Sequence, residues 1–155
     1  FPIPRLDGSS EADAQTSRDV AVEKLHAYLD EAMADIGPER TVIIGFSQGT
    51  LMALHVMPRR SQAVAGVVGF SGWLFAPEKL ETEATARPPV LLVHGDEDQM
   101  VPLSSLSDAA DALVSNAFEV YTHVSKGTGH GIAPDGLGLA LQFIAQKLGV
   151  SLPAA

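Results

Sequence analysis

Ser47 stands in Gly45-Phe46-Ser47-Gln48-Gly49, between a β-branched run at 41–44 and an apolar stretch at 50–57. A serine on a sharp strand-to-helix turn is held in a strained backbone conformation that lifts its hydroxyl above a sheet edge. Glycines two residues either side fit such a turn, because side chains there are expected to collide where strand and helix pack closely. The next amide, that of Gln48, then opens a helix and points to where negative charge develops on an attacked carbonyl oxygen. The chemistry implied is nucleophilic acyl transfer.

A serine hydroxyl is a weak nucleophile at neutral pH, so it needs a histidine base and a carboxylate that fixes the tautomer of that histidine. Of the five histidines, His26 falls on the polar side of a helical pattern and His55 within an apolar one. His123 falls inside or at the end of a strand, and His94 precedes a glycine and is read as supporting a turn. His130, in Gly127-Thr128-Gly129-His130-Gly131, lies in a glycine-rich loop between the last strand and the last helix. It is the histidine best placed to reach a serine at the carboxyl edge of a parallel sheet. For the acid, Asp96, Glu97 and Asp98 follow one strand together. A carboxylate directly after the glycine tends to cap the turn through backbone amides, while one further along can point back over the strand end. The residues alone leave the choice among the three open.

The elements that must position these groups are legible from periodicity. Val22, Leu25, Leu29, Met33 and Ile36 recur at spacings of three and four, predicting an amphipathic helix over 18–36 that Gly37-Pro38 stops. A strand over 41–44 has no polar alternation, as expected when both faces are covered. A buried helix over 50–57 and strands over 63–70 and 89–94 follow. Residues 76–88, acidic and proline-bearing, read as a surface excursion. Ser105 and Asp108 form a capping-box pattern ahead of Leu106, Ala110, Leu113 and Ala117. A strand over 118–123 and a helix over 134–148, with Gly149 at its stop, complete the chain. Strands alternating with helices throughout imply parallel β-α-β units in one α/β domain over 1–155.

Composition narrows the partners. The 155 residues are 46% hydrophobic, enough for one core, and carry 10 Lys+Arg against 19 Asp+Glu, a net charge of −9. That charge repels phosphate backbones and anionic lipid surfaces, which argues against nucleic acid as a partner. No apolar run approaches the length of a membrane span. The absence of cysteine excludes a thiolate nucleophile and is compatible with any compartment, the cytoplasm being only the default.

Together, GFSQG at 45–49, FSGWL at 70–74, HGDEDQMVP at 94–102 and GTGHGI at 127–132 resemble the phospholipase/carboxylesterase family of α/β-hydrolases, which includes acyl-protein thioesterases. The resemblance runs over nearly the whole chain in the right order. It implies an α/β-hydrolase fold, a mostly parallel sheet with helices on both faces. It also implies Ser47 as nucleophile, Asp98 as the acid of the HG-x-x-D-x-x-V-P pattern, His130 as base and the Gln48 amide as one oxyanion donor. By the same resemblance Trp73 and Met100 contact the acyl group. The implied reaction is hydrolysis of carboxylic esters, extending to thioesters or lysophospholipids, with a small-molecule acyl substrate and neither metal nor cofactor.

The chain begins at Phe1, and residues 1–15 do not resemble the upstream strands and HG-rich loop of the family, which supply the second oxyanion donor. The expectation is therefore the carboxyl-terminal part of a larger hydrolase, with the 41–44 strand as an exposed edge that pairs with the amino-terminal part or with another chain. A dienelactone-hydrolase-like reading fails for want of a cysteine. A prolyl-oligopeptidase-type reading expects a large additional domain. The rival from a different class is a non-catalytic fragment or binding module docked to a partner chain.

Overall fold

The computed structural model describes residues 1–153, in two compact units: residues 1–36, and the chain from Gly37 onward. The first unit holds a short helix α1 (Pro4–Asp7) and a long helix α2 (Glu11–Ala32). Helix α2 starts seven residues earlier than its apolar stripe predicts. Ser10 sets the start: its hydroxyl accepts the Asp13 amide at 3.1 Å and donates to the Asp13 carboxylate at 2.8 Å. Of the predicted stripe, Leu29 and Met33 are buried, whereas Ile36 lies past the helix end and is exposed.

The second unit is built on four parallel strands, β1 (Val42–Phe46), β2 (Gly66–Phe70), β3 (Val90–Gly95) and β4 (Val120–Ser125), in the order β1-β2-β3-β4. Gly45 pairs with Gly69 and Phe46 with Phe70, while Val93 pairs with His123 and Gly95 with Ser125, so the carboxyl ends of the strands lie side by side. The two central strands are buried along their whole length, which is why they read as unbroken apolar runs.

Helices α3 (Gln48–Val56), α5 (Ser104–Ser115) and α6 (Pro134–Leu148) join and follow the strands, with a short α4 (Leu80–Glu83) ahead of β3. Side chains alternate across a strand. Val68, Phe70, Leu91 and Val93 therefore share one face and pack with Ala140 and Phe143 of α6. Gly69 and Leu92 point the other way, where Thr50 of α3 comes close enough that a Cβ on Gly69 would meet its methyl at 2.6 Å. The sheet thus lies between α6 on one face and α3 on the other. Gly149, in the left-handed region at φ 66°, ends α6 as its position predicts. No helix among the described residues is long and apolar enough to cross a membrane.

Two expectations are corrected. The capping box at Ser105 and Asp108 does not form: α5 begins at Ser104 after a helical Leu103, and the Ser105 amide bonds the Pro102 carbonyl instead. Pro102 has already turned the chain, so no side-chain cap sets the start. The 76–88 segment is more than a surface excursion, because Leu80 is fully buried and Ala86 nearly so. Leu80→Ala is accordingly expected to cost about 2–5 kcal/mol in urea unfolding. A loss under about 1 kcal/mol would return the segment to the surface.

Candidate active site

The turn between β1 and α3 carries Ser47 in a backbone conformation of φ 56° and ψ −115°, a left-handed region costly to any residue with a Cβ. Long-range contacts hold it there. The Ser47 amide donates to the Phe70 carbonyl at 2.8 Å, and the Thr50 hydroxyl donates to the same oxygen at 2.8 Å. The start of α3 is thereby tied to the end of β2. A Cβ on Gly45 would lie 2.6 Å from the backbone of Gly49 and Thr50, so glycine is required where strand and helix cross. The matching expectation for Gly49 is corrected: a Cβ there would meet nothing within 4 Å. The helix turns its own position 49 outward, and only the strand side of the turn is crowded.

His130 lies on the β4–α6 loop, and its Nε2 is 3.0 Å from the Ser47 hydroxyl. Its Nδ1–H donates to Asp98 Oδ2 at 2.8 Å. The loop is set by β3 beneath it: the Asp96 carboxylate accepts the Gly127 amide at 2.8 Å, and the Glu97 amide donates to the Thr128 carbonyl at 2.9 Å. A Cβ on Gly95 would fall 2.2 Å from the Thr128 carbonyl oxygen, so the loop rides directly on that glycine. The loop also receives the Ser71 hydroxyl at the Gly131 carbonyl, at 3.3 Å.

The three acids after β3 separate by role. Asp96 caps the loop, Glu97 contributes its backbone amide, and Asp98 turns back to the imidazole. The Asp98 side chain is fully buried. Its Oδ1 accepts the amides of Met100 at 2.9 Å and Val101 at 2.8 Å. Burial alone would raise its pKa; the Val101 amide, the His130 ring N–H and the Met100 amide outweigh that and hold the carboxyl below its ordinary 3.8. His94, buried under the same carboxylate, donates from Nε2 to the Val101 carbonyl at 2.9 Å, with Asp98 Oδ2 at 3.3 Å. It supports the turn, as its place before Gly95 suggested.

Gln48 is the first residue of α3, where backbone amides point out of the helix end. Trp73 is half-buried and lines a cavity of about 200 Å3 with Leu74, Pro77, Ser105, Asp108 and Ala109. Met100 is exposed, and its amide rather than its side chain engages Asp98. One contact escaped the sequence reading: the Phe46 ring lies 5.0 Å from the His130 ring, tilted by 44°. The position before the serine is unconstrained in a G-x-S-x-G pattern, so nothing local marks it.

A parallel sheet covered by helices, with a serine on a strained turn and a histidine and buried carboxylate lined up behind it, defines an α/β-hydrolase scaffold. The sequence profile of the phospholipase/carboxylesterase family matches residues 1–148, and the chain belongs to that family. It is similar to acyl-protein thioesterase 1 of Gibberella zeae, 32% identical over 158 residues, covering 96% of this chain and 67% of that protein. Among solved structures it is similar to esterase PE8, 40% identical with a TM-score of 0.76, covering 84% of this chain and 64% of that one. It is also similar to SOBER1 of Arabidopsis thaliana, 26% identical with a TM-score of 0.79, covering 86% and 65%. The chain therefore spans about two-thirds of the length of these proteins.

Proposed function

We propose that this chain is a serine hydrolase of carboxylic esters, working through an acyl-enzyme on Ser47. The observation that carries the reading is the unbroken line from Ser47 Oγ to His130 Nε2 at 3.0 Å and from His130 Nδ1 to Asp98 Oδ2 at 2.8 Å, with a fully buried carboxylate at its far end. In the first half-reaction His130 Nε2 takes the Ser47 proton as the oxygen bonds the acyl carbon. The electron pair moves onto the carbonyl oxygen beside the Gln48 amide. As the tetrahedral species collapses, His130 returns the proton to the leaving alkoxide and the alcohol departs. In the second half-reaction His130 deprotonates water, which attacks the ester carbon, and the proton passes to Ser47 as the acid is released. Asp98, kept ionised, holds Nδ1–H toward itself and stabilises the imidazolium of each half. This sequence of steps uses neither a metal nor a cofactor.

Trp73, beside its cavity, and Met100, beside Asp98, are read as contacts to the acyl portion. A thioester fits the same steps, with a thiolate in place of the alkoxide, and the name of the Gibberella zeae relative supports that extension. The test is rapid mixing with p-nitrophenyl acetate. The expected result is a burst of about one p-nitrophenol per chain followed by slower turnover, the sign of an accumulating acyl-enzyme. Neither burst nor turnover would put the non-catalytic reading ahead.

That second reading has its own support. β1 is an edge of the described sheet, and its Ile44 and Phe46 are 57% and 40% exposed. An apolar open edge is a template for strand pairing, and on this reading β1 docks to another chain. Sedimentation velocity separates the two: monomeric behaviour together with turnover removes the docked, non-catalytic account.

A further inference from the structure

Outside the line of Ser47, His130 and Asp98 lies a second histidine–carboxylate pair. His123 and Ser125 project from the same face of β4, and Asp135 sits in the first turn of α6. His123 Nε2–H donates to Asp135 Oδ2 at 2.5 Å, and the Ser125 hydroxyl donates to the same oxygen at 3.0 Å. Between β4 and α6 run residues 126–133, the loop that carries His130. The group therefore closes that loop where it leaves the strand and where it enters the helix.

We infer that Asp135, gripped by His123 and Ser125, is a positioning residue that holds His130 at bonding distance from Ser47 by fixing the far end of its loop. The inference rests on the reading of His130 as the base. The middle of the loop is already pinned at Gly127, Thr128 and Gly131 by Asp96, Glu97 and Ser71. Beyond Gly131 the chain passes Ile132, half exposed, and reaches α6, whose first turn the clasp ties to β4. The position of that turn is confined as well by Gly136, where a Cβ would meet Val93 at 2.7 Å and the Ser125 hydroxyl at 3.2 Å. The Asp135 carboxyl is held below its ordinary 3.8 by the His123 ring N–H and then by the Ser125 hydroxyl, so it is an ionised acceptor near neutral pH. The Ser125 side of the clasp is buried and the Asp135 side is open to water. An exposed pair of this kind adds little to global stability. Its effect falls instead on geometry, and small misplacements of a reacting group lower rates steeply.

The experiment measures kcat and KM for p-nitrophenyl acetate in Asp135→Ala, His123→Ala, His123→Gln and the double alanine variant. Rates are expressed per serine titrated with a fluorophosphonate, so that loss of folded protein does not count as loss of rate. The expected result is a fall in kcat of about five- to tenfold in each single alanine variant, with KM within about twofold. The double variant should be no worse than either single one, because the two residues act as one unit. His123→Gln, which can still donate to Asp135, should recover most of the rate. Unchanged kcat per titrated serine in both alanine variants overturns the inference, whatever their melting temperatures. His130→Ala, run alongside, separates the two claims: turnover retained in that variant overturns the reading of His130 as base, whereas turnover lost there and kept in the clasp variants overturns the positioning role alone.

Discussion

Ser47→Ala is expected to lower kcat for ester hydrolysis by about 10^5- to 10^6-fold, the loss that follows when the nucleophile of a serine–histidine pair is removed. On the proposed reading His130 Nε2, 3.0 Å from the Ser47 hydroxyl, then has no oxygen to activate, and only the Gln48 amide and substrate binding remain. The fold should survive. Alanine keeps the Cβ that already tolerates φ 56°, and the bonds that fix the turn run through the Ser47 backbone and Thr50 rather than through the Ser47 hydroxyl. Unfolding free energy in urea should therefore stay within about 0.5 kcal/mol of the parent. Ser47→Gly, equally inactive, should be more stable by about 1 kcal/mol, because it releases the strain of a Cβ in that region. Turnover retained in either variant contradicts the assignment of the nucleophile.

Asp98→Asn should reduce kcat by about 10^4-fold through the tautomer of His130. The amides of Met100 and Val101 occupy Oδ1 of the present carboxylate, so an asparagine oxygen settles there and its NH2 faces His130 Nδ1. Nδ1 must then accept, the ring proton moves to Nε2, and Nε2 no longer takes a proton from Ser47. The same carboxylate links activity to stability. Its folded-state pKa lies below the ordinary 3.8, so its contribution to stability is fully present above that value and is lost as pH falls through the lowered one. The stability difference between parent and Asp98→Asn, read by urea unfolding, should be larger at pH 7 than near pH 3. A difference that does not change with pH would mean that Asp98 is not held ionised by its neighbours.

Much of the scaffold was legible because buried parallel strands carry their own signature. Val90 to Val93 and Gly66 to Phe70 have no polar alternation, and the structure places both at the centre of the sheet. Ser47 and His130 could be singled out because each follows a strand that ends on the same edge, whereas Asp96, Glu97 and Asp98 all follow β3 and only the resemblance of the HG-x-x-D-x-x-V-P pattern set Asp98 apart. Less legible were features set by distant partners. Residues 11–17 lack an apolar stripe, so the start of α2 was lost until the Ser10 cap was visible. Leu80 sits alone among acidic and small residues, and only packing reveals it as core. The Phe46 ring on His130 and the His123–Asp135 clasp join residues on different elements of the fold, and no local pattern announces either contact.

The most direct test of the central claim is to treat the protein with a fluorophosphonate, locate the adduct by peptide mass spectrometry, and repeat the labelling on His130→Ala. The account predicts one adduct, on Ser47 and on none of the other serines, with labelling slowed at least about a hundredfold when His130 is removed. No adduct on Ser47, or labelling at an undiminished rate in His130→Ala, would contradict it.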